Sequence, residues 1–289
     1  MTHSNEMSGK ICLVTGATSG IGEVTAQGLA AMGATVIVVG RTPSKGEATV
    51  NMIKQATGNQ DVTFMQADLS SQASIHKLAE DFKAKYQHLH VLVNNAGAMN
   101  MERSVTVDGL ETTFAVNHLA YFLLTMLLLD VLKASAPARV VNVSSEAQSG
   151  GKIDFDDLQG EKHYSGFGAY SQSKLANVIF SQELANRLQG TEVTSNSLHP
   201  GLVATGFGKN NNLLMRGLLT LGSVFFISAK KGAETSIYLA SSPEVEGVTG
   251  KYFIKKAPAR INPAAEDDAI GQRLWQVSEE LTHLVPEQH

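Results

Sequence analysis

The sequence predicts an α/β fold: a single domain built on a doubly wound parallel sheet of about seven strands, with helices on both faces. Short runs of β-branched and other apolar residues alternate with longer helical stretches along the chain. These runs are apolar on both faces, as are the strands of a parallel sheet that is covered on two sides. No linker or low-complexity tract interrupts the 289 residues, of which 43% are hydrophobic, so we expect one domain spanning residues 1–289.

The alternation of strands and helices begins near the N-terminus. "ICLVT" precedes a helix from about Gly20, "TVIVVG" precedes a helical run from about Pro43 to Thr57, and "VTFMQA" precedes "SIHKLAEDFKAKY". "HVLVNN" precedes a long apolar helix from about Leu110 to Ala134, and "RVVNVSS" precedes a loop and the helix of "AYSQSKLANVIF". "VTSNSLHPG" and "GKYFI" complete the strands. Ligands of doubly wound sheets lie at the carboxyl ends of the strands, so we expect the chemistry there.

Charge and cysteine content exclude several functional classes. The formal net charge is -4 and the lysines and arginines are scattered, unlike the basic patches of nucleic-acid-binding proteins. Cys12 is the only cysteine, so we expect neither a disulfide framework nor a metal site. This content is compatible with a reducing, cytoplasmic compartment.

The apolar stretches of the chain do not have the pattern of membrane-spanning helices. "LAYFLLTMLLLDVL" is short and contains Asp130, and "LLMRGLLTLGSVFFISA" contains Arg216 and two glycines. The opening "MTHSNEMSGK" is polar, and we expect residues 1–8 to be flexible. We therefore expect a soluble protein in which the second stretch is either a peripheral membrane contact or a substrate-covering segment.

A glycine-rich turn follows the first predicted strand. "TGATSGIG" places Gly16, Gly20 and Gly22 between that strand and the next helix. Glycines at such points allow a tight turn, a close approach of the backbone to a pyrophosphate, and close packing of helix on strand. Their position indicates dinucleotide binding. The alternative is a turn that only requires small residues.

The end of the second predicted strand bears on the choice of cofactor. An NAD site places a carboxylate there to bind the adenosine ribose, whereas this chain has Gly40 followed by Arg41. With no acid to repel a 2′-phosphate and a guanidinium to pair with it, we expect NADP(H) in preference to NAD(H). Lys45 either assists Arg41 or is an ordinary solvated lysine early in a helix.

Polar and small residues also end the third and fourth strands. Asp68 in "QADLS" either accepts a hydrogen bond from the adenine amino group or caps the following helix. "NNAG" begins at Asn94, and its Ala96 and Gly97 leave room for the adenosine side of the cofactor. An asparagine of this motif is able to bridge neighbouring strand ends.

Further polar residues surround the end of the fifth strand. Ser144 and Ser145 follow "VVNV", and the apolar helix before that strand contains Asn117. A buried asparagine needs partners, so Asn117 is either a satisfied core residue or part of a polar network. Tyr170 and Lys174 are four residues apart and share one face of a helix. They are either a phenol packed under a lysine stem or an acid/base pair.

Together these motifs resemble the short-chain dehydrogenases/reductases. "TGATSGIG", "NNAG", Asn117, "VNVSS", "YSQSK" and "HPG" occur in the order of that family, and the match extends from about Gly9 to Leu284. The segment "IDFDDLQGEKHYSGFGAYSQSKLANVIF" is most similar to the retinol dehydrogenase and WW-domain oxidoreductase branch. The resemblance implies a Rossmann fold and an oxidoreductase acting on CH–OH groups. Since neither an N-terminal membrane anchor nor WW modules have a counterpart in the sequence, we expect a soluble relative, for which retinol is one candidate substrate.

The resemblance implies roles for the polar residues at the fifth strand. Tyr170 is the implied acid/base and Lys174 its partner. Ser145, rather than Ser144, is the implied substrate-orienting hydroxyl, because the second serine of such a pair acts in the family. Asn117 is implied to hold a water near the lysine. The ammonium one turn away and the positive nicotinamide ring are expected to lower the tyrosine's pKa, which is ordinarily about 10.

The resemblance also implies which residues bind the cofactor. Lys174 is expected to contact the nicotinamide ribose, and Thr205 the nicotinamide carboxamide. The implied cofactor-binding residues are Gly16, Thr18, Ser19, Gly20, Ile21, Gly22, Arg41, Lys45, Asp68, Leu69, Asn95, Ala96, Gly97, Tyr170, Lys174, Pro200, Gly201, Val203 and Thr205.

The segment after "HPG" bears on the substrate. Residues 201–229 correspond to the segment that covers the substrate in this family, and "NLLMRGLLTLGSVFFIS" makes it strongly apolar, which implies a lipophilic aldehyde, ketone or alcohol. The alternatives are a subunit contact or a membrane-surface helix. His199 is expected to be structural, and His163 and Tyr164 to lie at the pocket entrance or on the surface.

Two functions are compatible with these residues. The first is an NADP(H)-dependent oxidoreductase acting on an apolar carbonyl/alcohol pair, and the second is an NADP(H)-binding sensor or interaction protein with little activity. A binder does not need Asn117, Ser145, Tyr170 and Lys174 together, so their joint presence favours the enzyme. The family implies a homodimer or homotetramer, joined through helices at about 110–134 and 169–189.

Overall fold

A computed structural model describes residues 6–201 and 227–284 and confirms the predicted fold class. In the first strand Leu13 belongs to one core cluster, and Cys12 and Val14 belong to another, so both faces are buried as predicted. The strands in the described residues are β1 (Ile11–Thr15), β2 (Thr35–Gly40), β3 (Val62–Gln66), β4 (Val91–Asn94), β5 (Ala138–Val143), β6 (Val193–His199), β7 (Tyr252–Ile254) and β8 (Ala257–Pro258).

These strands form one sheet in the order β3-β2-β1-β4-β5-β6-β7-β8. Strands β1 to β7 are parallel, whereas β8 pairs antiparallel with β7. The sequence pattern does not predict β8, because it has only 2 residues and one of them is a proline. The strand order reverses between β1 and β4, so their carboxyl ends border the crevice where such sheets bind ligands.

Helices cover both faces of this sheet. The predicted helix from Pro43 to Thr57 is confirmed, and Pro43 suits its first turn because an amide there has no partner within the helix. The helices in the described residues are α1 (Gly20–Ala31), α2 (Pro43–Thr57), α3 (Gln72–Lys85), α4 (Thr112–Phe114), α5 (Ala120–Leu127), α6 (Leu129–Lys133), α7 (Gly166–Arg187), α8 (Ala229–Ser241) and α9 (Asp268–Thr282).

The single long helix predicted from about Leu110 to Ala134 is wrong, because the structure interrupts it twice. Helix α4 begins directly after Glu111, whose carboxylate accepts hydrogen bonds from two amides of the first turn at 2.8 and 2.7 Å. Ala115–Leu119 form a π-helical turn that contains Asn117, and a break at Leu128 separates α5 from α6. The apolar pattern hides both interruptions because it is continuous across them.

Two core clusters lie on opposite faces of the sheet. On one face α1, α2 and α8 bury Leu29, Ile53 and Leu239 against the strands. On the other face α3, α5 and α7 bury side chains that include Phe82 and Leu184. This cover on both faces is what the doubly wound prediction requires.

The C-terminal helix α9 lies over α5 and α7. The Trp275 ring centre lies 4.9 Å from that of Phe122 and 6.0 Å from that of Phe180. His118 Nε2 lies 2.9 Å from the Ser278 hydroxyl. The chain's own last helix therefore covers part of the two helices that the family resemblance assigns to subunit contacts.

Several predictions concern the ends and the membrane. Within residues 6–201 and 227–284, no helix is both long and apolar enough to cross a membrane. The predicted flexible N-terminus needs correction at Met7, which is buried and donates from its amide to the Met32 carbonyl at 3.0 Å. The predicted substrate-covering segment 201–229 falls almost entirely on residues 202–226, which lie outside the described residues.

Candidate active site

The crevice between β1 and β4 is closed at its base by Thr15. The Thr15 hydroxyl donates to the Val93 carbonyl at 3.3 Å and accepts from the amides of Asn95 and Ala96 at 2.8 and 3.1 Å. The Asn95 side chain donates in turn to the Thr15 carbonyl at 2.8 Å. Asn95 therefore bridges two strand ends, as predicted for an asparagine of this motif. Sequence reasoning missed Thr15, which ends an apolar run.

The glycine-rich turn packs directly on the loop after β4. Gly16 has φ +62°, and a Cβ there would lie 2.8 Å from the Ala96 Cα atom. A Cβ on Gly22 would lie 2.4 Å from Asn95 Nδ2. Both positions thus require glycine for reasons internal to the protein, because no real Cβ approaches other atoms so closely.

The start of α1 fits a pyrophosphate. Ser19 is the N-cap in extended conformation, but its side chain makes no capping hydrogen bond within the described residues. Gly20 follows with φ 61°. The first amides of α1 are therefore available to an external anion, and Thr18 and Ile21 lie in the same half-buried turn. The residues present fit a dinucleotide cofactor.

The end of β2 has no room for an acidic side chain. A Cβ on Gly40 would lie 2.5 Å from Thr18 Cγ2, so a carboxylate at this position requires a shift of Thr18. Arg41 and Lys45 are exposed, and the Gln66 side chain donates to the Arg41 carbonyl at 3.2 Å. Residues 41–45, directly after β2, thus include two cations and no acid.

The two alternatives for Asp68 are partly separated by the structure. Ser71, not Asp68, is the N-cap of α3, and it accepts from the Ser74 amide. Asp68 Oδ1 accepts from the amide and hydroxyl of Ser70 at 3.0 and 2.7 Å, so it shapes the turn before the helix. Leu69 is buried in the core. A contact between Asp68 and adenine stays a prediction.

Helix α7 places Tyr170 and Lys174 one turn apart at the carboxyl end of β5. The Lys174 ammonium group donates to the Val143 carbonyl at 2.9 Å and lies 5.7 Å from the Tyr170 ring centre. Lys174 is buried, and burial lowers its pKa to about 7. The lysine is therefore poised between its charged and neutral forms near neutral pH.

Tyr170 and Ser145 are half-buried and meet at the cleft. Burial raises the pKa of Tyr170, and a hydrogen bond with Ser145 acts in the opposite direction. The predicted lowering of this pKa is therefore wrong for the protein alone, because burial outweighs the neighbouring groups. Tyr170 is accordingly protonated at neutral pH.

The two serines at the end of β5 differ in their environments. The Ser144 hydroxyl is buried and donates to the Lys174 carbonyl at 2.6 Å, which fastens α7 to the strand. Ser145 Oγ accepts from the Ala147 amide at 3.3 Å and faces the cleft beside the tyrosine. His199 Nδ1 accepts from the Glu146 amide at 3.1 Å and so holds the turn that carries Ser145.

Asn117 is a fully buried member of a polar network. Its Oδ1 accepts from the Ala98 amide at 2.7 Å, and its Nδ2 donates to the Ala98 carbonyl and the Ser173 hydroxyl at 2.8 and 2.9 Å. Ser173 donates to the Tyr170 carbonyl at 2.8 Å. Asn117 therefore ties the loop after β4 to helix α7, and both alternatives drawn from the sequence apply to it.

Tyr121 is a second neighbour of the lysine that sequence reasoning missed. Its hydroxyl donates to the Ala96 carbonyl at 2.7 Å, and its ring centre lies 5.8 Å from the Lys174 ammonium. Its place in an apolar run indicates an ordinary core residue. The available signal is its position four residues after Asn117, on the same helical face.

The remaining predicted residues are spread over the edges of the site. Pro200 and Gly201 are half-buried and follow directly on β6, whereas Val203 and Thr205 lie outside the described residues. Tyr164 is half-buried and donates to the Asn100 carbonyl at 2.8 Å, while His163 is exposed.

Residues 10–214 match the family model of the short chain dehydrogenases. The chain belongs to this family. It is 48% identical to retinol dehydrogenase 12 of Homo sapiens over 276 residues, covering 96% of this chain and 87% of that one. It is 42% identical to retinol dehydrogenase 14 of Homo sapiens over 295 residues, covering 96% and 88%.

Solved structures agree with this membership. A protein from Mycobacterium paratuberculosis has a TM-score of 0.77 and 34% identity, with 96% of this chain and 94% of that one covered. A Pseudomonas aeruginosa protein, solved as an NADP active-site complex, has a TM-score of 0.70 and 28% identity, with 88% and 97% covered. The predicted family and its retinol dehydrogenase branch are confirmed. The protein is an oxidoreductase that acts on CH–OH groups, in a family that uses NAD(P).

Proposed function

We propose that this short chain dehydrogenase is an NADP(H)-dependent enzyme that interconverts an apolar aldehyde or ketone and its alcohol, with Tyr170 as the acid/base. The proposal rests on one observation above all. Tyr170 is hydrogen-bonded with Ser145 at the cleft, and Lys174 is buried one helical turn below. An NADP(H) sensor with little activity, the second candidate, has no use for a buried lysine at this place.

Ser145 and Tyr170 have separate roles in the proposed reaction. A nicotinamide cofactor, when bound, supplies or accepts the hydride. Ser145 donates a hydrogen bond to the substrate oxygen and stabilises the charge that develops there. In reduction Tyr170 gives its proton to that oxygen, and its raised pKa keeps it protonated at neutral pH. In oxidation Tyr170 acts as tyrosinate, and its oxygen takes the proton of the alcohol.

Lys174 and Asn117 support the tyrosine in this scheme. With a pKa of about 7, Lys174 is able both to donate a proton toward Tyr170 and to take one back. Asn117 holds the loop after β4 against α7 through Ala98 and Ser173. These partners fix the position of the Asn117 side chain, and we propose that Asn117 holds a water near Lys174.

The choice of NADP(H) is supported by the end of β2. Arg41 and Lys45 are exposed there, and the tight contact between Gly40 and Thr18 disfavours an acid. The apolar substrate is supported by the sequence "NLLMRGLLTLGSVFFIS" and by the names of the relatives, which are retinol dehydrogenases. A homodimer or homotetramer is also proposed, through faces of α5 and α7 that α9 leaves uncovered.

The test is NADPH consumption by the purified protein with retinal, medium-chain aldehydes, aromatic ketones and steroid ketones. Turnover of one class should be lost in Tyr170→Phe and kept in Tyr238→Phe. The second variant is the control, because it removes the hydroxyl of a half-buried tyrosine whose partner is Glu244. Full turnover in Tyr170→Phe contradicts the catalytic assignment. Comparable affinities for NADH and NADPH contradict the cofactor assignment. Tight NADPH binding without turnover of any class favours the sensor.

A further inference from the structure

Exposed apolar side chains are concentrated beside the catalytic tyrosine. Among the described residues, the large hydrophobic side chains that are exposed are Met101, Val105 and Val107, at 37%, 52% and 85%, and Phe167, at 60%. The first three lie in the loop after β4, and Phe167 lies in the first turn of α7. Single exposed apolar residues need no explanation, but four in two adjoining segments do.

Hydrogen bonds join the loop after β4 (residues 98–111) to the segment that leads into α7 (residues 151–167). We call these two segments together the loop wall. Arg103 Nε donates to the Gln159 carbonyl at 2.9 Å, and the Glu111 amide donates to Gln159 Oε1 at 2.7 Å. Tyr164 donates to the Asn100 carbonyl at 2.8 Å. Because the wall is fixed by hydrogen bonds to main-chain atoms, its exposed side chains are presented in a defined place.

The backbone of Met101 lies against Gly166, the residue before Phe167. A Cβ on Gly166 would lie 2.5 Å from the Asn100 carbonyl oxygen and 2.6 Å from the Met101 Cα, so the start of α7 rests directly on the backbone of Met101. Phe167 precedes Tyr170 by three residues and so shares its helical face, about 4.5 Å further out along the axis. The apolar edge therefore begins about one helical turn from the catalytic hydroxyl.

Charged residues limit the width of this edge. Glu102 and Arg103 are exposed next to Met101, and Arg103 lies 3.6 Å from the Glu161 carboxylate. A broad apolar partner, such as a protein face or a bilayer, would have to desolvate these charges. A single hydrocarbon chain would not.

We propose that Phe167 and Met101 hold the apolar tail of the substrate, the part that extends outward from the carbonyl group on Tyr170. This proposal rests on the proposed function and makes these two residues determinants of chain length. Contact with the tail begins where the chain is long enough to reach Phe167. Short substrates therefore gain nothing from it.

The test is a series of butanal, hexanal, octanal and decanal reduced with NADPH. In the wild type kcat/KM should rise by about fourfold per methylene over the part of the chain that lies on the two side chains. Phe167→Ser should lower the ratio of decanal to butanal by about tenfold and leave butanal unchanged, and Phe167→Leu should restore most of the ratio. Val107→Ser, a matched removal of a more exposed side chain at the tip of the loop, should change nothing.

Three outcomes would overturn the proposal. An equal loss for butanal and decanal in Phe167→Ser would mean that the residue only maintains structure. An equal effect of Val107→Ser would mean that the whole apolar surface associates with a protein or lipid. If the wild type reduces no aldehyde, the proposed function fails. The corresponding ratio is then measured from the dissociation constants of butanol and decanol for the NADPH complex, followed by nucleotide fluorescence. A ratio unaffected by Phe167→Ser in that measurement also overturns it.

Discussion

Lys174 gives a stability prediction that is tested without a substrate. Burial lowers its pKa from 10.5 to about 7, so the folded protein favours the neutral amine, whereas the unfolded chain carries a solvated ammonium. The folded state is therefore penalised fully below about pH 7, and the penalty declines as the pH rises toward 10.5. The difference between the two pKa values corresponds to about 5 kcal/mol.

The substitution Lys174→Met removes the charge and keeps an unbranched side chain. It also loses the hydrogen bond to the Val143 carbonyl, which is 2.9 Å long. This loss costs about 1–3 kcal/mol and offsets part of the stability gained by removing the buried charge. At about pH 6 the free energy of unfolding of the variant should exceed that of the wild type by about 2–4 kcal/mol. At about pH 9 the penalty has fallen to about 2 kcal/mol, and the two proteins should be nearly equal.

The assay is urea unfolding of the cofactor-free proteins at both pH values, followed by the fluorescence of Trp275. Lys77→Met is the matched control, because the Lys77 side chain is 72% exposed and its substitution should give no such pH dependence. A difference between wild type and Lys174→Met that is the same at both pH values would refute the reasoning. NADPH-dependent turnover should be lost in the more stable variant, which would show that Lys174 is kept for chemistry and not for folding.

Further predictions concern residues on either side of the catalytic helix. His118 is fully buried and burial lowers its pKa to about 3, so its neutral form stabilises the fold above its ordinary value of 6.5, and this contribution is lost as the pH falls toward 3. Between about pH 8 and pH 5 the wild type should lose about 2 kcal/mol relative to His118→Phe, as measured by urea unfolding; a constant difference would contradict this. Gly22→Ala should lower stability by about 1–3 kcal/mol and weaken NADPH binding, whereas Gly150→Ala, at a position with open space around its Cβ, should do neither. Ser145→Ala should lower kcat/KM by about a hundredfold with little change in melting temperature. Ser144→Ala should instead lower stability by about 1 kcal/mol and keep most activity, and the reverse pattern would exchange the two assignments.

The strands β1 to β7 and their parallel arrangement were predictable because each strand is a short apolar run set apart from a helix by turn residues. The interruptions of the helix between β4 and β5 were not, because they depend on long-range partners. Asn117 makes its hydrogen bonds to Ala98 and Ser173, which are distant in sequence. The break at Leu128 leaves no mark in a segment where nearly every residue is apolar.

The motif residues of the site were predictable by type, but their contacts were not. A glycine pattern shows that a turn is tight; only the structure shows that Gly22 is pressed against Asn95. The pKa of Tyr170 could not be judged from spacing, because the effect of a lysine one turn away depends on whether that lysine is itself charged. Burial acts on both groups and moves their pKa values apart, since it raises that of Tyr170 and lowers that of Lys174.

Lys174 differs from the other buried polar residues of this site, because its burial is unfavourable to the folded state. Thr15 and Asn117 are fully buried, but their polar atoms are paired with main-chain groups, so the fold itself explains them. Tyr121 belongs with them, since its hydroxyl donates to the Ala96 carbonyl. Among the described residues the hydrogen bond shown for the Lys174 ammonium is the one to the Val143 carbonyl, and burial lowers the pKa of this group to about 7, so a hydrocarbon side chain would stabilise the fold more. A residue that folding disfavours at its own position is best explained by a chemical role, and the burial of Lys174 supports its proposed role independently of the motif.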